Sequence, residues 1–185
     1  MMRPMKLAGS QLLFGEGCLE HIRTLAYKRV AIVLGGSSMH KSGMLDKVKR
    51  LFEESGAVVS IIEGVEPDPT FATVLRGAKE MKAAEPDLIV ALGGGSVMDA
   101  AKTMWIYYEN PQLQNLKDVL PPNPFPQLRT KAHLCCIPST AGTASEGMEI
   151  LSYKIGGGGW KISWVWLLPE ALKVRSIFGK SRRRQ

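Results

Sequence analysis

Gly93-Gly94-Gly95-Ser96 is the stretch of this sequence best equipped to do chemistry. Glycine has no Cβ, so the backbone can turn sharply there and come close to a ligand. Leu88 to Leu92, just before, are five apolar residues in a row, too few for a helix of their own. Ser96 to Lys102 opens a helix whose apolar side continues through Met98, Ala101, Trp105 and Tyr108. A strand, a glycine turn and a helix start in that order bring free N–H groups and the positive end of a helix dipole to one point. Such a point binds phosphate. A plainer reading stands beside it: Ser96 and Asp99 are in the S-x-x-D relation of a helix cap, and three glycines make a tight turn. The G-x-G-x-x-G pattern is not met, because Met98 occupies the third glycine position.

Two further stretches carry small polar residues at the ends of apolar runs. Gly35-Gly36-Ser37-Ser38 follows Arg29–Leu34, and a glycine turn at a strand's carboxyl end is where open α/β sheets bind ligands. Pro138-Ser-Thr-Ala-Gly-Thr-Ala-Ser-Glu146 follows Ala132–Ile137; taken alone, such a loop is a polar surface turn. The histidines His21, His40 and His133 are scattered, with no D-x-x-x-H and no i,i+4 pair to aim two ligands from one helix face. No metal site and no catalytic residue is expected from the chain itself.

Gly93 to Lys102 resembles the G-G-G-S-x-x-D-x-A-K signature of the iron-containing (group III) alcohol dehydrogenase family. Pro138 to Glu146 resembles the family's P-[ST]-T-[AS]-G-T-[GA]-S-E, and Glu66-Pro-Asp-Pro-Thr70 its E-P-N-P-T, with Asp68 in the Asn position. The resemblance spans about residues 5–146. It implies an NAD(P)-binding domain in which Gly93, Gly94, Gly95, Ser96 and Asp99 hold the pyrophosphate. Gly35, Gly36, Ser37, Ser38, Asp68, Ser139, Thr140 and Thr143 would complete the cofactor site. It also implies a divalent metal, iron or zinc, held by an Asp and three His in a helical second domain that lies beyond this chain. The implied activity is hydride transfer between an alcohol or aldehyde and a nicotinamide, with the 185 residues alone inactive.

Gly35-Gly-Ser-Ser-Met-His-Lys-Ser-Gly43 is similar to the G-G-G-S-x-K-K-x-G of the butanol-dehydrogenase-type branch. It has no acid to accept from a ribose 2′-hydroxyl, and His40 and Lys41 are nearby, so NADP is favoured over NAD. Two other readings remain. Dehydroquinate synthases, lyases that use NAD, share the architecture, though the Pro138–Glu146 loop favours the dehydrogenases. A folded dinucleotide-binding fragment without catalysis is the second.

The elements that must position these residues follow from periodicity. Arg29–Leu34, Val58–Ile62 and Leu88–Leu92 read as strands, and Ala132–Ile137 as a fourth. Met44, Leu45, Val48, Leu51 and Phe52 fall at helical spacing, stopped by Gly56. A second helix starts after Pro67-Asp-Pro-Thr70, with Phe71, Val74, Leu75, Ala78 and Met81 on its buried side. Residues 5–15 predict a short strand and a turn, and Cys18 to Ala26 a short helix. Asn110 to Thr130 is a long proline-rich loop. The β-α-β-α-β-α succession implies an α/β fold, a Rossmann-like parallel sheet with helices on both faces, similar to a dehydroquinate-synthase N-terminal domain.

Composition sets the limits. The net charge of +7 invites a nucleic-acid reading, but eight of the 24 basic residues and one of the 17 acidic ones lie in 151–185, leaving 16 of each before it. The body is neutral, so no nucleic-acid partner is expected. No apolar run reaches the roughly 18 residues of a membrane span, and three cysteines fit buried thiols in a reducing cytoplasm. A domain over 1–150 and an atypical basic, Trp-rich tail over 151–185 are expected. In that tail Lys161 matches the family's basic position only weakly, and a changed reading frame is one explanation of its composition. The expected partners are a nicotinamide dinucleotide and, for a complete enzyme, a small alcohol or aldehyde; a homodimer stays open.

Overall fold

The computed structural model describes residues 3–7, 10–119, 123–124, 126–140, 151–155, 160–164 and 172–175. Its centre is a parallel sheet. The strands are β1 (Arg3–Leu7), β2 (Ser10–Phe14), β3 (Arg29–Leu34), β4 (Val58–Ile62), β5 (Leu88–Gly93), β6 (His133–Pro138), β7 (Leu151–Ile155), β8 (Trp160–Trp164) and β9 (Leu172–Arg175). The helices are α1 (Ser38–Lys41), α2 (Met44–Glu54), α3 (Phe71–Ala84) and α4 (Gly95–Glu109), with 3₁₀ turns at Cys18–Thr24 and Leu116–Val119. One sheet runs in the order β1-β2-β9-β6-β5-β3-β4, and β7 and β8 form an antiparallel pair of their own. Within the larger sheet only β1 and β2 are antiparallel.

The chain leaves β3 for β4 on one side, then returns to β5 on the other. That reversal makes a topological switch between β3 and β5, and open α/β sheets bind ligands outside the strands' carboxyl ends at such a point. Side-chain alternation along the strands divides the core in two. Val30, Ile32, Leu34, Leu88, Val90, Leu92, Cys135 and Ile137 face α2 with its Leu45, Val48, Leu51 and Phe52. Ala31, Val33, Ile89, Ala91, Leu134 and Cys136 face α3 and α4. Each fully buried Val, Leu or Ile contributes about 1.5–3 kcal/mol of transfer free energy, which is why near-continuous apolar runs are needed where both sheet faces are covered. The fold is thus the expected α/β sheet with helices on both faces.

Several elements differ from expectation, each for a local reason. Residues 5–15 are not one strand: β1 and β2 form an antiparallel pair in which Arg3 faces Phe14 and Leu7 faces Ser10. The short helix is a 3₁₀ helix over Cys18–Thr24, and it ends before Ala26. On α3 the buried stripe is Val74, Gly77, Ala78 and Met81, while Leu75 is 38% exposed. Gly77 takes the inner position because a Cβ there would overlap the Met104 side chain of α4. The long loop carries the Leu116–Val119 turn, closed by Asp118 Oδ2 accepting from Gln114 and Asn115 amides at 2.9 Å. The sheet does not stop at residue 150, for β9 lies parallel between β2 and β6.

All three cysteines are buried, and none is in a disulfide. Among the described residues no helix is long and apolar enough to cross a membrane.

Candidate functional site

α4 begins at the end of the central strand. Its N-cap is Gly94, which makes no side-chain cap, so the Ser96–Asp99 cap of the plainer reading does not form. Ser96 instead lies inside the first turn, and Gly94, Gly95 and Ser96 are half-buried. Amides of a first turn have no intrahelical acceptor, and no acidic side chain stands in this turn to neutralise the helix dipole. Asp99 lies deeper, its carboxylate buried and 3.3 Å from the equally buried Lys102 Nζ. From Val97 to Glu109 every residue of α4 is buried, so its start is held rigidly against the sheet.

The glycines are there because of Val97. A Cβ on Gly93 would stand 2.8 Å from Val97 Cγ2, and one on Gly35 would stand 3.0 Å from the same methyl. One branched side chain therefore closes the space between the two glycine turns. Gly36, in contrast, faces open space, and Gly36, Ser37 and Ser38 are exposed beyond the end of β3. Ser37 is the N-cap residue of α1, accepting from Lys41 N–H through its backbone at 2.9 Å.

Two more stretches join this corner. The Asp68 amide donates to Ser96 Oγ at 3.4 Å, and Asp68 holds a left-handed φ of 51°. The Ser139 amide donates to Gly93 O at 2.9 Å, and Thr140 Oγ1 lies 3.4 Å from where a Gly94 Cβ would be. Gly35 to Ser38, Asp68, Gly93 to Ser96, Ser139 and Thr140 are thus gathered at the carboxyl edge. Asp99 faces inward instead, and Thr143 lies outside the described residues.

The loop before α3 is organised by a carboxylate. Glu66 Oε1 accepts from the Thr70 amide and from Thr73 Oγ1, both at 2.8 Å, while Thr70 Oγ1 caps α3 through the Thr73 amide at 3.3 Å. Burial alone would raise the Glu66 pKa, but the Thr70 amide and the threonine hydroxyls outweigh it and bring it from 4.5 to about 2.

A second carboxylate, Glu109, escapes sequence reading. It is buried at the end of α4, and its Oε1 accepts from Trp105 Nε1 at 2.9 Å, Lys131 N at 3.2 Å and Ala132 N at 3.0 Å. Oε2 takes Thr130 N at 2.9 Å and Thr130 Oγ1 at 3.0 Å. Burial would raise its pKa, yet these donors hold it below the usual carboxylate range. This group anchors the chain entering β6, and so sets where Ser139 and Thr140 emerge. Nothing in the spacing of a single Glu at a helix end signals that.

The donor set fits a diphosphate: half-buried amides at a helix start, hydroxyls from Ser96, Ser139 and Thr140, and a backbone that admits close approach. It does not fit a metal. Among the described residues no three His, Cys, Asp or Glu converge to hold an ion.

A family model described as iron-containing alcohol dehydrogenase matches residues 9–170. An NADPH-dependent butanol dehydrogenase of Clostridium saccharobutylicum is 49% identical over 135 residues, 73% of this chain and 34% of that protein. An alcohol dehydrogenase of Thermococcus barophilus is 36% identical over 144 residues, 74% of this chain and 37% of that protein. Among solved structures, an iron-containing alcohol dehydrogenase from Thermococcus thioreducens superposes with a TM-score of 0.77 at 30% identity, covering 92% of this chain and 46% of that one. The chain spans about a third of the length of these curated relatives.

Proposed function

The chain belongs to the iron-containing alcohol dehydrogenase family, and from that premise we propose that it is the cofactor-binding half of an NAD(P)-dependent alcohol or aldehyde oxidoreductase. The observation that carries the reading is the meeting of four separate stretches at the β3–β5 switch: the Gly35 turn, Asp68, the start of α4, and Ser139–Thr140. In this reading the amides of Gly94, Gly95 and Ser96 hold the diphosphate. Ser139 and Thr140 flank it from β6, and the open space at Gly36 admits the adenosine side. Val97 and the buried body of α4 keep these donors fixed, so little ordering is needed on binding.

When bound, the nicotinamide accepts or gives a hydride. The chain's own contribution is to position that ring at the carboxyl edge. The described residues offer no ligand set for a metal, and this half is proposed to bind cofactor without turnover. NADP is the proposed preference. The absence of an acid in Gly35–Gly43 and the presence of His40 and Lys41 support it, as does the description of the Clostridium relative as NADPH-dependent.

NADPH fluorescence titration, run beside a butyraldehyde reduction assay with added divalent metal, tests the reading. Saturable quenching without reduction supports the cofactor-binding half. Metal-stimulated reduction would show that the chain is catalytically complete. No quenching would remove the dinucleotide reading altogether.

A further inference from the structure

Beside the Gly35 turn stands a carboxylate contributed by a different strand. Glu63 follows the last residue of β4, and its Oε1 accepts from His40 Nε2 at 2.7 Å. Its backbone is fixed from two sides. Arg76 Nη2 donates to the Glu63 carbonyl at 2.7 Å, while Arg76 pairs through its other nitrogen with Glu80 at 2.5 Å. The Val65 amide donates to Leu34 O at 3.2 Å, folding the segment after Glu63 over the end of β3. The His40 and Glu63 side chains are 49% and 55% exposed, so a ligand can reach both. Lys41 adds an exposed cation on α1.

Along the carboxyl edge the order is Thr140 after β6, Gly94 after β5, Gly35 after β3 and Glu63 after β4. Neighbouring strands are about 4.8 Å apart, which puts the end of β4 about 10 Å from that of β5. With a diphosphate seated at the start of α4, one nucleoside of the dinucleotide extends over β3 toward His40 and Glu63.

We propose that Glu63 is a specificity-determining residue for the ribose 2′ position: its carboxylate, joined to His40, favours a 2′-hydroxyl and opposes a 2′-phosphate. The inference rests on the dinucleotide reading given above. A carboxylate accepts from a 2′-hydroxyl and repels a phosphate. While His40 Nε2 donates to Glu63, that donor is also withheld from a phosphate oxygen. The preference for NADP supplied by His40 and Lys41 is therefore tempered by an acid that reaches the same place from β4.

The test is calorimetric titration of NADP and of NAD into the full 185-residue chain, in wild type, Glu63→Gln and His40→Gln. Glutamine keeps an oxygen for His40 and removes only the charge. Glu63→Gln is expected to raise the NADP-to-NAD affinity ratio about fivefold at low salt, the upper range for one exposed charge pair, with a smaller rise at high salt. His40→Gln is expected to lower the ratio. An unchanged ratio in Glu63→Gln, or an equal fall in both affinities, would overturn the assignment of Glu63 while leaving the dinucleotide reading intact. If the wild-type chain binds neither coenzyme, both fail together. Wild-type preference for NAD would correct the NADP proposal alone, and the Glu63→Gln ratio would still decide the role of Glu63.

Discussion

The amide of Asp68 donates to the hydroxyl of Ser96 at 3.4 Å, tying a left-handed residue of the β4–α3 loop to the first turn of α4. Few side chains adopt that backbone without strain; asparagine is among those enriched there, and β-branched residues are outliers. Asp68→Asn is expected to leave stability within about 0.5 kcal/mol. It removes a negative charge beside the proposed diphosphate, so NADP should bind about threefold tighter, on the order of one exposed charge interaction. Asp68→Val should cost about 1–2 kcal/mol. Thermal melts and calorimetric titration check both.

Gly93 and Val97 are predicted to be coupled. A methyl on Gly93 would sit 2.8 Å from Val97 Cγ2, and the neighbouring backbone of β5 is fully paired. Gly93→Ala should destabilise by about 1–3 kcal/mol, the usual cost of overpacking. Gly93→Ala with Val97→Ala should cost less than the sum of the single changes, since the overlap with Cγ2 is removed and only the Val97 Cβ, at 3.0 Å, stays close. Urea denaturation of the four proteins measures this coupling; strict additivity would contradict the contact.

Glu109→Gln puts an amide where two oxygens accept five hydrogen bonds. At least one buried donor among Trp105 Nε1, Thr130, Lys131 N and Ala132 N then loses its acceptor. The expected loss is about 1–3 kcal/mol, measured by denaturant unfolding. Hydrogen exchange at Thr130 to Ala132 should accelerate more than at Ile32 or Val90.

Acid should destabilise the fold through the same two carboxylates. Both Glu66 and Glu109 have pKa values lowered by folding, Glu66 from 4.5 to about 2. A group of this kind adds stability that is complete above its unfolded pKa and is lost as pH falls through the folded one. Unfolding free energy should therefore be flat above about pH 5.5 for these groups and fall from about pH 4.5 toward 2. Glu66→Gln should shallow that fall, and an unchanged slope would contradict the Thr70 and Thr73 bonds to Glu66.

Much of the fold was legible in the chain itself. Strands β3, β4 and β5 announce themselves as apolar runs between turn residues, and Met44–Glu54 shows its period through Leu45, Val48, Leu51 and Phe52. The turn at Gly93–Ser96 was legible too, because strand, glycines and helix start are contiguous. What remained hidden depends on residues distant in sequence meeting in space. Nothing in Gly77 predicts that Met104 needs its missing Cβ, and nothing in Glu63 predicts His40 as its partner. The Ser96–Asp99 cap failed because Gly94 took the cap position, leaving Asp99 to pair with Lys102 in the interior. β9 was missed because its pairing with β2 and β6 is a tertiary fact, and its short run carries no distinctive period.

In the proposed reading the backbone amides at the start of α4 receive a dinucleotide's diphosphate. Amide chemical-shift mapping by NMR, with NADP titrated into the isotopically labelled chain, tests it most directly. Saturable shifts are expected, largest at Gly94, Gly95 and Ser96, with smaller ones at Gly35 and Gly36 across Val97. Binding that leaves those amides unmoved, or shifts a different face of the sheet, would contradict it.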